Sequence, residues 1–174
     1  MSPRARAEIR IALRANASDL LAYHERRVLC REDAADLLGE TLLHAWRRTA
    51  AFPVGDPTLQ RMWLFGIAVK VLANHRRTVR RRSALVDRLR SHLEVAHDTG
   101  PAAGNAVRDA VGRLPASHRD LVTLVHWEGF SIAEAAQLLG LNASTARSRY
   151  AKARASLREA LTDESLNGLR GSAR

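Results

Sequence analysis

Between Phe130 and Thr145 the chain reads FSIAEAAQLLGLNAST, and few folds admit that stretch. Ser131 followed by Glu134 is an S-x-x-E pattern, in which each side chain satisfies a backbone N–H that a helix start leaves unpaired. Ile132, Ala135, Ala136 and Leu139 then recur at the spacing of one helix face. Gly140 supplies the permissive backbone of an abrupt stop, and after Leu141 and Asn142 a new helix can begin at Ala143 or Ser144. Helix, short glycine turn, helix is the helix-turn-helix pattern, whose second member enters the DNA major groove. In that second helix Ala146, Tyr150, Ala153, Leu157 and Leu161 form the inward stripe. Ser144, Arg147, Ser148 and Ala151 are left facing out near its N-terminal end, where base edges are met. Arg147 has the fork that fits guanine O6 and N7. Thr145, Arg149, Lys152 and Arg154 lie to the sides and suit phosphates. A basic helix alone would be weak evidence, because surface helices commonly carry such charges. The cap, the glycine turn and a preceding packed helix make the pattern more specific.

The whole chain is biased the same way. Its 174 residues carry a formal net charge of +10, and all but two of the 28 basic residues are arginine, the exceptions being Lys70 and Lys152. Such a balance favours a polyanionic partner, nucleic acid before membrane. Aromatics are only 5%, Ala and Leu dominate, and no run alternates apolar and polar β-branched residues. The expected fold class is therefore all-α: two small helical domains joined by a short flexible linker, the C-terminal one a helix-turn-helix. Cys30 is the only cysteine, which rules out an internal disulfide and argues against a thiolate metal site. The seven histidines contain no i, i+3 or i+4 pair, so no metal or other cofactor is expected. No nucleophile, base and orienting group fall into a recognisable arrangement, so the chain is not expected to be an enzyme. The N-terminus lacks the apolar core of a signal peptide and nowhere do 18 apolar residues run together, so a soluble, cytoplasmic protein is expected.

Ahead of the motif, periodicity predicts a helix from about Ala5 to Val28, with Asn16 as its weak point. Ile9, Leu13, Leu20, Leu21 and Val28 would face a core, and Arg6, Arg10, Arg14, Arg26 and Arg27 would face out. A second helix runs from Glu32 to Thr49, burying Ala35, Leu38, Leu42, Ala45 and Trp46. Its opposite face carries Asp33, Asp36, Glu40, His44 and Arg47. The helix dipole explains Asp33 better than Glu40, and an acidic patch on a basic chain suggests a protein partner. Ala50 to Gln60 reads as a loop. The third helix, Arg61 to Arg82, has an apolar face of Trp63, Leu64, Ile67, Ala68, Val71, Leu72 and His75. It ends in five arginines among the seven residues from Arg76 to Arg82. Their mutual repulsion is relieved by phosphates, which arginine forks bind bidentately. A fourth helix spans Ala84 to Val95, and residues 96–104, rich in glycine and proline, form the linker. A short helix from Asn105 to Arg113 and another opened by Pro115 complete the second core, with Trp127 anchoring the next turn. The expected domains are residues 1–95 and 105–162, followed by a frayed tail at 163–174.

With both halves read, the chain resembles the bacterial RNA polymerase sigma factors of the extracytoplasmic-function group, over about Asp19 to Ala160. EDAADLLGETLLHAW (Glu32 to Trp46) is similar to the helix that grips the clamp coiled coil of the largest polymerase subunit. WLFGIAVKVLANHRR (Trp63 to Arg77) resembles the helix that melts and reads the −10 promoter element. Leu114, Pro115, Arg119 and Leu121, with the helix-turn-helix, resemble the −35 reader. The resemblance implies core-polymerase contacts at Asp36, Leu37 and Glu40. It implies −10 contacts at Asn74, His75 and Arg77, to which Lys70, Arg80 and Arg81 add charge. On the −35 side it implies contacts at Ser144, Arg147, Ser148 and Arg149. Core RNA polymerase, promoter DNA and an anti-sigma factor are the implied partners. Three positions depart from the family pattern: Gly39 stands where glutamine is frequent, Lys70 where asparagine is usual, and Ser144 where glycine is common. The rival expectation is a stand-alone dimeric helix-turn-helix regulator, against which the acidic stripe and the first domain count.

Overall fold

The computed structural model describes the backbone of residues 3–90 and 106–171, with side chains over residues 4–82, 107 and 109–162. Every regular element among them is helical. The chain divides into two compact units, Met1–His97 and Asp98–Arg174. The linker expected at 96–104 lies outside the described residues.

The first unit packs α1 (Pro3–Glu25), α2 (Arg31–Arg47) and α3 (Pro57–Arg90) against one another. α1 is unbroken at Asn16, whose Nδ2 donates to Ala12 O at 2.8 Å and so stays within the helix. Ile9 and Leu20 are buried as expected, and Tyr23 joins them, with its ring edge-on to Phe65 at 5.6 Å and to His24 at 5.2 Å. Arg27 is not an outward charge. Its guanidinium lies 3.7 Å from the centroid of the Tyr23 ring.

On α2 the buried stripe is Ala34, Leu37, Thr41 and Ala45; Ala45 is buried as expected, and the others are shifted by one residue from the expected Ala35, Leu38, Leu42 and Trp46. Ala35 is exposed, Leu38 and Leu42 are half-buried, and Trp46 is 45% exposed. Two adjacent stripes fit the helical period equally well, and hydropathy favours the one without threonine. The tertiary bond His24 Nε2···Thr41 Oγ1, at 3.1 Å, goes with the other choice. After α2 the chain makes a 3₁₀ turn, Thr49–Ala51. α3 then starts four residues earlier than expected, because Pro57 takes the first helical position and Asp56 caps it. The Asp56 Oδ1 atom accepts from Thr58 N at 2.8 Å and Leu59 N at 3.1 Å. The short connection left over is tied to α1, since Glu8 Oε2 accepts from Gly55 N at 2.8 Å and Gln60 Nε2 at 3.3 Å. Arg4, then Gly55, hold the Glu8 carboxyl below the usual carboxylate range.

α3 does not stop at Arg82. It runs to Arg90 through the point where a fourth helix was expected to begin. The change from apolar to arginine-rich sequence marks where α3 leaves the packed bundle, not where the helix ends; no glycine or proline interrupts Arg76 to Arg90.

The second unit consists of α4 (Ala106–Arg113), α5 (Ala116–His126), α6 (Ile132–Leu139) and α7 (Ala143–Gly171), with α7 packed on the other three. Leu114, Val122 and Ala153 form a core cluster, flanked by Tyr150 and Leu157. Arg119 fastens the α4–α5 turn by donating to Leu114 O at 2.9 Å and to Gly112 O. Trp127 does not anchor the following turn, being 44% exposed. Gly129 turns the chain with a φ of 73°, and Phe130, whose N–H donates to Leu124 O at 3.0 Å, is buried instead. α7 continues to Gly171, through the segment expected to fray, so its single Gly168 does not stop it.

Candidate nucleic-acid interface

The helix-turn-helix forms as the sequence dictates. Ser131 Oγ accepts from Glu134 N at 3.2 Å, and Glu134 Oε2 accepts from Ser131 N at 2.8 Å. The Ser131 hydroxyl also donates to Glu134 Oε2 at 2.7 Å, and this bond first, then the one from Ser131 N, holds the Glu134 carboxyl below the usual carboxylate range. Gly140 adopts φ 64° and ψ 33°, a left-handed conformation that costs a side-chain-bearing residue about 1–2 kcal/mol. Asn142, not anticipated as a cap, starts α7: its Oδ1 accepts from Thr145 N at 2.7 Å and from the Ser144 hydroxyl at 2.9 Å. The Ser144 proton is thus engaged, while the residue itself is exposed.

Ala146 and Ala153 are fully buried on the inward side of α7, and Ser144, Arg147, Ser148, Lys152 and Arg154 are exposed. Thr145 and Arg149 are half-buried. Ser144, Thr145, Ser148, Arg149 and Lys152 line one groove of about 470 Å³, together with His118 of α5. His118 carries no signal in the sequence, because it lies 26 residues before Ser144 and outside the helix-turn-helix pattern.

In the first unit Lys70, Asn74, Arg77 and Arg81 are all exposed. At i, i+4, i+7 and i+11 they share one stripe of α3. Arg80 is exposed beside that stripe, its Nε donating to Arg76 O at 3.3 Å. His75, expected both on the apolar face of this helix and among the −10 contacts, is set apart from the exposed stripe. It is half-buried on the packed side of α3, near enough to His24 to oppose that residue's protonation.

Asp36 is exposed and Glu40 half-buried on α2, but Leu37, grouped with them from the resemblance, is 3% exposed and lies in the core. It fixes α2 in place and offers no contact surface. Leu43 and Trp46, 46% and 45% exposed on the same helix, are the apolar groups available there. A groove of about 230 Å³ between α2 and α3 is lined by Glu40, His44 and Arg48 together with Lys70 and Asn74, over a floor of Ile67 and Val71. Glu40 Oε1 lies 3.5 Å from His44 Nε2. The acidic face of α2 and the basic stripe of α3, read separately from sequence, therefore meet.

No helix among the described residues is long and apolar enough to cross a membrane. Residues 12–82 match the family model for sigma-70 region 2, and residues 104–157 match that for sigma-70 region 4. The sigma factor SigL of Mycobacterium tuberculosis is 30% identical over 153 residues, covering 85% of each chain. SigM of the same organism is 34% identical over 140 residues, covering 72% of this chain and 63% of its own. The fold is also that of RpoE of Bartonella quintana, solved with the anti-sigma factor NepR: TM-score 0.62, 26% identity, covering 90% of this chain and 96% of that one. With its two helical units matched in this order by sigma-70 regions 2 and 4, this chain belongs to the extracytoplasmic-function RNA polymerase sigma factors.

Proposed function

We propose that this sigma factor attaches to core RNA polymerase through α2 and directs initiation by gripping a promoter at two elements, with no chemical step of its own. The observation that carries this is the presence, in each of two separate units, of a packed helix with an exposed cationic face. On α3, Lys70, Asn74, Arg77 and Arg81, flanked by Arg80, suit an unwound −10 strand, where backbone charge must be held without a duplex groove to guide it. On α7, Arg147 suits a −35 base edge, with Thr145, Arg149, Lys152 and Arg154 on the flanking phosphates. Asp36 and Glu40 supply the acidic face for the polymerase clamp, and Leu43 and Trp46 add the apolar area that a protein partner buries. The complex of the relative RpoE with NepR supports an anti-sigma partner here as well. The work belongs in the cytoplasm, where polymerase and chromosome meet.

The stand-alone dimeric regulator is not favoured, because such a protein has no use for a first unit of this kind. Transcription with purified core polymerase and a genomic promoter library is the test. Specific initiation that depends on added chain is expected. Its absence on every fragment, with tight half-site-spaced binding in the absence of polymerase, overturns the assignment.

A further inference from the structure

The groove beside α7 has a second wall. His118 occupies the first turn of α5 and lines the groove with Ser144, Thr145, Ser148, Arg149 and Lys152. Val122, four residues on, packs in the core with Ala153 of α7, so the α5 face that carries His118 is the one turned toward α7. Among the described residues no carboxylate lines the groove, and those that line it offer hydroxyl, guanidinium, ammonium and imidazole groups. That donor set, with two full positive charges, fits a phosphodiester. The first turn of α5 is also held in place: Arg119 clamps the preceding carbonyls of Gly112 and Leu114, and His118 N donates to Pro115 O at 2.9 Å. A donor fixed before binding costs less ordering entropy than one on a mobile loop.

We propose that one strand of the −35 duplex lays its backbone in this groove, and that His118 is a phosphate contact supplied by α5. This rests on α7 being the −35 reader and adds the α5 wall to that interface. Held between two helices, the phosphate sets the depth and tilt at which α7 enters the major groove, and Arg147 is left free to read bases.

Holoenzyme reconstituted with the full chain is titrated against promoter DNA carrying the cognate −35 element and against single-base-pair variants of it. His118→Ala should weaken every sequence alike, by about three- to tenfold, the effect of losing one hydrogen bond. His118→Arg should restore or exceed the original affinity and steepen the slope of log K against log salt by about 1. Equal weakening by both substitutions means that His118 only packs; unchanged affinity in His118→Ala means that it does not touch DNA. Either result overturns the proposal. Lys152→Ala, tested in parallel, separates the two levels: if it too has no effect, the −35 assignment of α7 fails, whereas an effect there alone removes only the α5 wall.

Discussion

His24 shows how much one buried side chain can set. It is fully buried, and Thr41 already donates its hydroxyl proton to Leu37 O at 2.7 Å. The Thr41 oxygen must therefore accept from His24 Nε2–H, which leaves Nδ1 as a buried lone pair with no partner among the described residues. Burial first, then Arg27 and His75, lower the imidazole pKa from 6.5 to about 4. Between those values the unfolded chain takes up a proton that the native chain refuses. Stability from this residue is thus complete above pH 6.5, declines as pH falls, and is lower by up to ~3 kcal/mol near pH 4. Chemical denaturation at about pH 7.5 and pH 5 should show a loss of about 2 kcal/mol that largely disappears in His24→Gln, which keeps a donor toward Thr41 but does not titrate. An equal pH dependence in both proteins would assign the loss elsewhere. On the DNA side two other residues separate by role. Arg147→Ala should relax discrimination at one −35 base pair by about 1–3 kcal/mol, whereas Lys152→Ala should weaken all sequences uniformly and flatten the salt dependence. Binding to a panel of single-base-pair promoter variants at two salt concentrations reads both.

At the scale of elements, α2 combines a buried stripe chosen by tertiary contacts with an exposed face held for partners. Gly39 interrupts that exposed face, and a Cβ there meets nothing within 4 Å. Gly39→Ala should therefore stabilise the first unit by ~1 kcal/mol through helix propensity alone, measurable as a raised denaturation midpoint at unchanged slope. No gain would mean that the glycine relieves a strain not visible in its surroundings. α3 and α7 both continue past the ends that composition suggests. In each, the apolar period fades while helix-compatible residues persist, so the packing face and the helix end at different places. The start of α6 was legible because its cap is local: Ser131 and Glu134 satisfy each other within one turn. The caps of α3 and α7, Asp56 and Asn142, are as local and were readable in principle. Each gives a weaker signal than Ser131, because neither has the glutamate or glutamine partner three residues on that completes the box.

For the molecule as a whole, the two units have separate cores, so heating should melt them in two transitions, not one. Ser131→Ala removes half of the α6 capping box and should cost about 1 kcal/mol. That lowers the midpoint of one transition by about 4–8 °C, as for a domain of 60–100 residues, and leaves the other in place. A single transition that shifts as a whole would show that the units are coupled. The sequence alone determined the all-α class, the helix-turn-helix with its cap and turn, the cationic faces of α3 and α7, and the family to which they belong. Each of these follows from residues close in the chain, where periodicity, capping and charge act within a few turns. Tertiary structure decided which of two neighbouring stripes of α2 is buried, and that Leu37 turns inward while Trp46 and Trp127 face out. It also brought Glu40 beside Lys70 and Asn74, and His118 beside the reading helix. Those outcomes depend on contacts between residues dozens of positions apart, such as His24 with Thr41, and a local period cannot distinguish two faces that both satisfy it.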